Sequence, residues 1–191
     1  MRVIAGTRRS MPLKAPVGMD TRPTQDRTKE TLFNVLQNEI PGAEFLDLFA
    51  GSGAISIEAL SRGASHATLV ENNKNAVSCI KDNLKFTKFS DEATLMETDV
   101  MAALYKLGGH KEFDIVFMDP PYNLEIEAQV LKTMNNMASV TEYTTVIIEA
   151  SLKRDLSFVE ECGFRIVKVK QYKTNQHIFL RKNSYNTCFN L

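Results

Sequence analysis

Phe45-Leu46-Asp47-Leu48-Phe49-Ala50-Gly51-Ser52-Gly53 starts as an apolar run and ends on two glycines separated by one residue. A short apolar run bounded by glycine reads as a buried strand, and the glycines mark a tight turn whose backbone can approach a ligand closely. After Gly53 a helix opens. The same alternation repeats downstream, with strands expected at about 45 to 49, 67 to 71, 93 to 97, 113 to 118 and 144 to 149. Between them lie segments with an apolar stripe at helical spacing, such as Ala76, Cys79, Ile80 and Leu84, or Val130, Met134, Met137 and Ala138. Strands alternating with amphipathic helices form βαβ units, whose strands lie parallel in one sheet. After Gly163, Phe164 to Lys170 and His177 to Arg181 read as two strands joined by a short polar loop, an antiparallel pair.

Ahead of the sheet, Thr24 can cap a helix whose stripe is Leu32, Val35, Leu36 and Ile40 and which ends near Pro41-Gly42. Gly6, Pro12, Pro16 and Gly18 give the first 20 residues a short-strand and turn composition, that of an extension. The organisation expected is an N-terminal extension and helix over 1–43 and an α/β domain over 44–191. At 191 residues, 43% apolar and 24% charged, the chain has the size and composition of one compact domain. No segment approaches the roughly 18 apolar residues of a membrane span, and the first ten residues lack the apolar core of a signal peptide. A cytoplasmic protein with no membrane partner is expected. Cys79, Cys162 and Cys188 are odd in number and far apart, which excludes a disulfide framework and a zinc-ligand spacing. No metal is expected.

Zero net charge, from 23 basic and 23 acidic residues, at face value argues against a nucleic-acid partner. By region the picture changes. Residues 1–30 carry seven basic and three acidic side chains, and residues 165–182 carry six basic and none acidic. Two basic ends around an acidic body fit a phosphate-binding face, although each run by itself is equally a solvated strand surface.

Two motifs carry chemistry. The glycine turn alone also fits a dinucleotide enzyme, since Glu71 lies where such folds place an acid about 20 residues on. Against that reading, Ser56 replaces the third glycine, and Asp47 suits a cationic amine better than a pyrophosphate. The second motif, Asp119-Pro120-Pro121-Tyr122, follows the apolar run ending at Met118. An exocyclic base amine is a poor nucleophile because its lone pair is delocalised into the ring. A site that methylates it must accept hydrogen bonds from its N–H groups, and Asp119 offers a carboxylate and Pro120 a carbonyl. Proline adds no competing N–H and fixes φ, so these acceptors are set before substrate arrives. Tyr122 offers an aromatic face for stacking. The glycine turn, Glu71, Asp99 and Asp119 to Tyr122 all fall at the carboxyl ends of successive expected strands, where open α/β sheets bind ligands.

Asp47 to Gly53 together with Asp119 to Tyr122 resembles a class I methyltransferase acting on amino groups. Asp20-Thr21-Arg22-Pro23-Thr24-Gln25-Asp26-Arg27, with Lys29-Glu30 and Phe33-Asn34, closely resembles the bacterial RsmD family, the 16S rRNA guanine-N2 methyltransferases. The resemblance covers nearly the whole chain. It implies a Rossmann-like seven-stranded sheet with the last strand antiparallel, S-adenosyl-L-methionine as donor, and 16S rRNA or the assembled small ribosomal subunit as partner, the family's target being guanine 966. It further implies that Phe49, Ala50, Gly51, Ser52, Gly53 and Asn72 line the donor, that Asp47 holds its amine, that Glu71 binds the ribose and that Asp99 meets the adenine. Arg8, Arg9, Lys14, Arg22, Arg27 and Lys173 are the RNA-contact candidates in a protein expected to act as a monomer. Two positions depart from the pattern: Ser10 stands where glycine is expected, and Lys173 follows Tyr172 where the family tends to have glycine. A DNA adenine-N6 methyltransferase shares the Asp-Pro-Pro-Tyr chemistry, although such enzymes usually carry a further recognition domain. A noncatalytic RNA-binding protein could also keep the fold.

Overall fold

In the computed structural model, which describes residues 1–16, 23–109, 111–121 and 126–184, seven strands make one sheet. They are β1 (Glu44–Asp47), β2 (His66–Val70), β3 (Ala93–Met96), β4 (Ile115–Met118), β5 (Thr145–Ser151), β6 (Phe164–Gln171) and β7 (Asn175–Lys182). Their order is β3-β2-β1-β4-β5-β7-β6. The first five in this order are parallel, and β7 runs antiparallel between β5 and β6. This is the expected Rossmann-like class I methyltransferase sheet with its antiparallel last strand. Strand order reverses between β1 and β4, so a crevice opens at their carboxyl ends.

Among the described residues six α-helices cover the sheet: α1 (Pro23–Val35), α2 (Ala54–Ser61), α3 (Lys74–Thr87), α4 (Val100–Leu107), α5 (Ile126–Asn135) and α6 (Phe158–Glu161). One core layer joins Phe45, Ile115, Phe117 and Ile147 to Leu32 and Phe33 of α1, Ile57 of α2 and Ile80 of α3. On the opposite face Leu46, Val116, Met118 and Ile148 meet Leu104 of α4, Val130 and Met134 of α5 and Val159 of α6. Alternate residues of β1, β4 and β5 thus serve opposite cores, which explains why these strands read as continuous apolar runs.

Element ends differ from the sequence expectation where local geometry intervenes. β1 ends at Asp47, and Leu48 and Phe49 already belong to the turn, with the Leu48 N–H donating to the Phe117 carbonyl at 3.0 Å. α1 opens on Pro23, so Thr24 lies inside the helix; proline suits the first helical position because that N–H has no partner in any case. α5 stops at Asn135, which places Ala138 outside the helix and exposed, while Met137 stays buried.

The N-terminal segment is sewn into the same core. Arg2 and Pro12 form an isolated bridge, and Val3 and Leu13 are buried beside α1. Glu58 of α2, itself buried, accepts hydrogen bonds from the N–H groups of Ile4 at 2.7 Å and Ala5 at 3.0 Å. Directly after them the chain turns at Gly6, where φ is 79° and an added Cβ would lie 1.7 Å from the Ser61 carbonyl oxygen. Ser10 has φ 69°, in the left-handed region that favours glycine, which gives a backbone reason for the glycine expected there.

Candidate active site

The turn between β1 and α2 is held from three sides. Ala50 N–H donates to Val70 O at 3.0 Å, Gly51 N–H to the Glu71 carboxylate at 2.8 Å, and the buried Asn83 amide of α3 to Ser52 O at 2.9 Å. Gly51 and Gly53 both have positive φ, 56° and 76°. Their surroundings differ. A Cβ on Gly53 would sit 3.3 Å from Leu69, whereas one on Gly51 would meet nothing within 4 Å and would fill open space beside the turn.

Asp47 closes β1 and is almost wholly buried. Its Oδ2 accepts from Ser56 Oγ at 2.8 Å, while Oδ1 is buried and has no hydrogen-bond partner among the described residues. Burial pushes its carboxyl up to about 7, and the nearby Glu71 charge adds to that, against the lowering effect of the Ser56 hydrogen bond. An unsatisfied buried carboxylate oxygen beside an open glycine cradle fits the cationic end of an amino-acid-like ligand.

Glu71, just past β2, is the acid on which the loops converge. Besides Gly51, its carboxylate accepts from the N–H groups of Asn72 at 3.0 Å and Asn73 at 2.8 Å. A carboxylate has about four acceptor positions, so two hydrogen bonds from a ribose would have to share or displace one of these amides. Asp99 caps α4, accepting from Ala102 N–H at 3.0 Å, and stays exposed.

Asp119 follows β4 with Pro120 buried and Pro121 exposed; Tyr122, like Arg22, lies outside the described residues. The Asp119 carboxyl is pushed well above the usual carboxylate range by loss of water on its inner side and by the neighbouring Glu149 and Asp47 carboxylates. Because the residue keeps an exposed surface, the two like charges are the more durable cause. Asp47, Glu71, Asp99 and Asp119 therefore all stand at the carboxyl edge of the sheet, those on β1 and β4 flanking the reversal in strand order.

Sequence reasoning passed over four groups here. Ser56 supplies the hydroxyl that Asp47 needs, Asn83 ties the glycine turn to the N-terminal segment, and Glu149 and His177 stand beside Asp119's strand. Only tertiary contact reveals them. No group of three or more His, Cys, Asp or Glu among the described residues is placed to hold a metal ion. Among those residues, too, no helix is long and apolar enough to cross a membrane.

The basic candidates separate. Arg8 donates through Nε to Thr87 O at 2.7 Å and stacks over the Phe89 ring, and Lys14 pairs with Asp82 at 2.7 Å. Arg9, Arg27 and Lys173 are exposed. The two basic runs lie toward opposite edges of the sheet, one packed on α2 and α3, the other on β6 and β7.

Residues 1–181 match the family model described as conserved hypothetical protein 95. The Bacillus subtilis protein YlbH is 36% identical over 172 residues, covering 90% of this chain and 92% of that protein. Ribosomal RNA small subunit methyltransferase D of Haemophilus influenzae is 38% identical over 135 residues, 70% of each chain. Among solved structures, the Escherichia coli methyltransferase yhhF superimposes with a TM-score of 0.81 at 28% identity, covering 96% of this chain and 98% of that one. With the sheet order, the glycine turn and the acidic edge in agreement, the chain belongs to the conserved hypothetical protein 95 family, within the class I S-adenosylmethionine-dependent methyltransferase superfamily.

Proposed function

We propose that the protein transfers a methyl group from S-adenosyl-L-methionine to the exocyclic N2 amine of a guanine in 16S rRNA of the small ribosomal subunit, guanine 966 being the target the family resemblance implies. The observation that carries this reading is the pair of acids flanking the strand-order reversal, Asp47 buried beside the glycine turn and Asp119 at the mouth. The relatives' names support an RNA substrate, since one of them is a small-subunit rRNA methyltransferase.

The donor supplies an electrophilic methyl on a sulfonium. Asp47 would hold its amine, Gly51 and Gly53 with Phe49, Ala50, Ser52 and Asn72 would line it, Glu71 would take the ribose hydroxyls and Asp99 would face the adenine. Asp119 and the Pro120 carbonyl accept the N–H groups of the base amine, orienting its lone pair toward the methyl carbon. Methylation by the donor would leave positive charge on the base nitrogen. Asp119 stabilises that charge, and its raised affinity for protons suits it to take the proton the nitrogen must lose. Arg8, Arg9, Lys14, Arg22, Arg27 and Lys173 are assigned to RNA phosphates, with Tyr122 stacking on the base, in a cytoplasmic monomer. Mass spectrometry of 16S rRNA from cells with and without the protein tests the reading. Loss of one N2-methylguanine is the expected result; an unchanged rRNA, or a lost N6-methyladenine, would overturn it.

A further inference from the structure

The edge that carries Asp119 holds a second acid with no part in the chemistry above. Met118 of β4 is in register with Ile148 of β5, so Asp119, the residue after β4, and Glu149 of β5 follow that pair side by side, near enough for the Glu149 charge to act on Asp119. Glu149 is fixed from behind. Its Oε1 accepts from the Asn175 side-chain amide, and its Oε2 lies 3.0 Å from His177 Nε2. His177, directly across from Glu149 on β7, is buried and is held in turn by the Tyr172 hydroxyl, 2.9 Å from its Nδ1. The His177 ring also packs edge-on against Phe117, with centroids 6.1 Å apart. Burial, reinforced by the Glu149 charge, pushes the Tyr172 hydroxyl up to about 12, which keeps it a donor. A neutral ring that takes the Tyr172 proton at Nδ1 carries its own on Nε2, facing Glu149.

Such a chain of positioned donors uses about half of the acceptor capacity of Glu149. The side chain remains 18% exposed. Two carboxylates abreast repel each other unless hydrogen-bond donors lie before them. The Watson–Crick edge of guanine carries two such donors side by side, the N1–H and the N2 amine. Adenine carries an amine beside the N1 lone pair, which would face a carboxylate.

We propose that Glu149 is a specificity-determining residue that accepts the guanine N1–H while Asp119 takes the N2 amine, with His177, Asn175 and Tyr172 as positioning residues. This rests on the guanine reading of the same site. It requires the enzyme to sense an atom that takes no part in methyl transfer.

2-Aminopurine keeps the N2 amine but replaces the N1–H with a lone pair and lacks O6, so it is the change in the guanine-to-2-aminopurine ratio on altering Glu149, not the ratio alone, that reports on the N1 position. Small subunits are reconstituted with ligated 16S rRNA carrying either guanine or 2-aminopurine at the position whose methylation depends on the protein. Single-turnover rates are then compared for the wild type and Glu149→Gln, whose amide can donate to the 2-aminopurine N1. The wild type should prefer guanine by about 100-fold or more, and Glu149→Gln should narrow that ratio at least about tenfold. A wild type indifferent to the substitution overturns the proposal without any variant, as does a folded Glu149→Gln that keeps the wild-type ratio. A wild type that methylates no guanine at N2 overturns the underlying reading instead. A merely structural Glu149 would slow both substrates alike.

Discussion

Asp47 sets a conflict between stability and binding. Burial pushes its carboxyl up to about 7 in the folded chain against an ordinary value of 3.8. The folded state therefore holds the proton more tightly than the unfolded state, and stability present at low pH is lost as pH rises from about 4 to 7. Full ionisation costs the ligand-free fold up to about 4 kcal/mol. Asp47→Asn, which keeps an acceptor for Ser56, should stabilise the free protein by about 1–3 kcal/mol at pH 8 and by almost nothing at pH 4, while weakening S-adenosylmethionine binding. Denaturant unfolding at the two pH values and calorimetry with the donor check both halves; equal stabilisation at both values would remove the buried charge as the cause. Asp119, exposed at the carboxyl edge of the sheet, is assigned to the substrate amine and not to the donor. Asp119→Ala should retain donor affinity and lose methyl transfer by about 100-fold or more. Near-normal single-turnover transfer would end its assignment.

At the level of elements, Glu58 joins the N-terminal segment to the sheet. Besides the Ile4 and Ala5 amides, its buried carboxylate meets Lys29 Nζ of α1 at 3.1 Å and Arg62 Nε at 2.7 Å. Lys29 is 5% exposed and also donates to Arg2 O at 2.7 Å. Removing one partner of a buried ion pair leaves an uncompensated charge, whereas removing both with apolar groups is far milder. Glu58→Ala should therefore cost about 3–5 kcal/mol, and Glu58→Leu combined with Lys29→Met should cost less than Glu58→Ala alone. Chemical denaturation measures both, and a Glu58→Ala variant within about 1 kcal/mol of the wild type would show that this junction is not what holds the segment.

For the whole molecule, zero net charge conceals a division that folding refines. Part of the basic surplus also meets protein groups: Arg8 Nε donates to Thr87 O, Lys14 pairs at the surface with Asp82, Arg181 with Glu39, and Lys182 donates to the Val140 carbonyl. Lys168, Lys170 and Lys173 remain exposed on and just beyond β6, with Val167 and Val169 exposed beside them. Reversing the three lysines to glutamate should weaken binding to small-subunit RNA at least about tenfold and make its salt dependence shallower, since fewer counterions are released. Donor affinity and melting temperature should not move. An unchanged affinity and salt slope would shift the RNA contact to the other basic run, with Arg9 and Arg27 among its exposed members.

The sequence by itself determined the sheet, because alternating short apolar runs and 3.6-residue stripes leave few ways to bury both faces. It also marked Gly51, Gly53, Asp119 and Pro120, whose residue types are tied to turns and to amine chemistry by local rules. Element ends were less legible. Leu48 and Phe49 look like strand residues, yet the chain must leave the sheet at Asp47 to make the glycine turn. What only the tertiary structure decided is which polar groups meet: Ser56 with Asp47, Asn83 with Ser52, Glu58 with Ile4 and Ala5, and Glu149 with His177. These partners are separated by 9 to 54 residues along the chain. Whether a polar side chain is satisfied, and so whether its charge and position are set, depends on hydrogen-bond geometry within about 3 Å, and periodicity carries no information at that range.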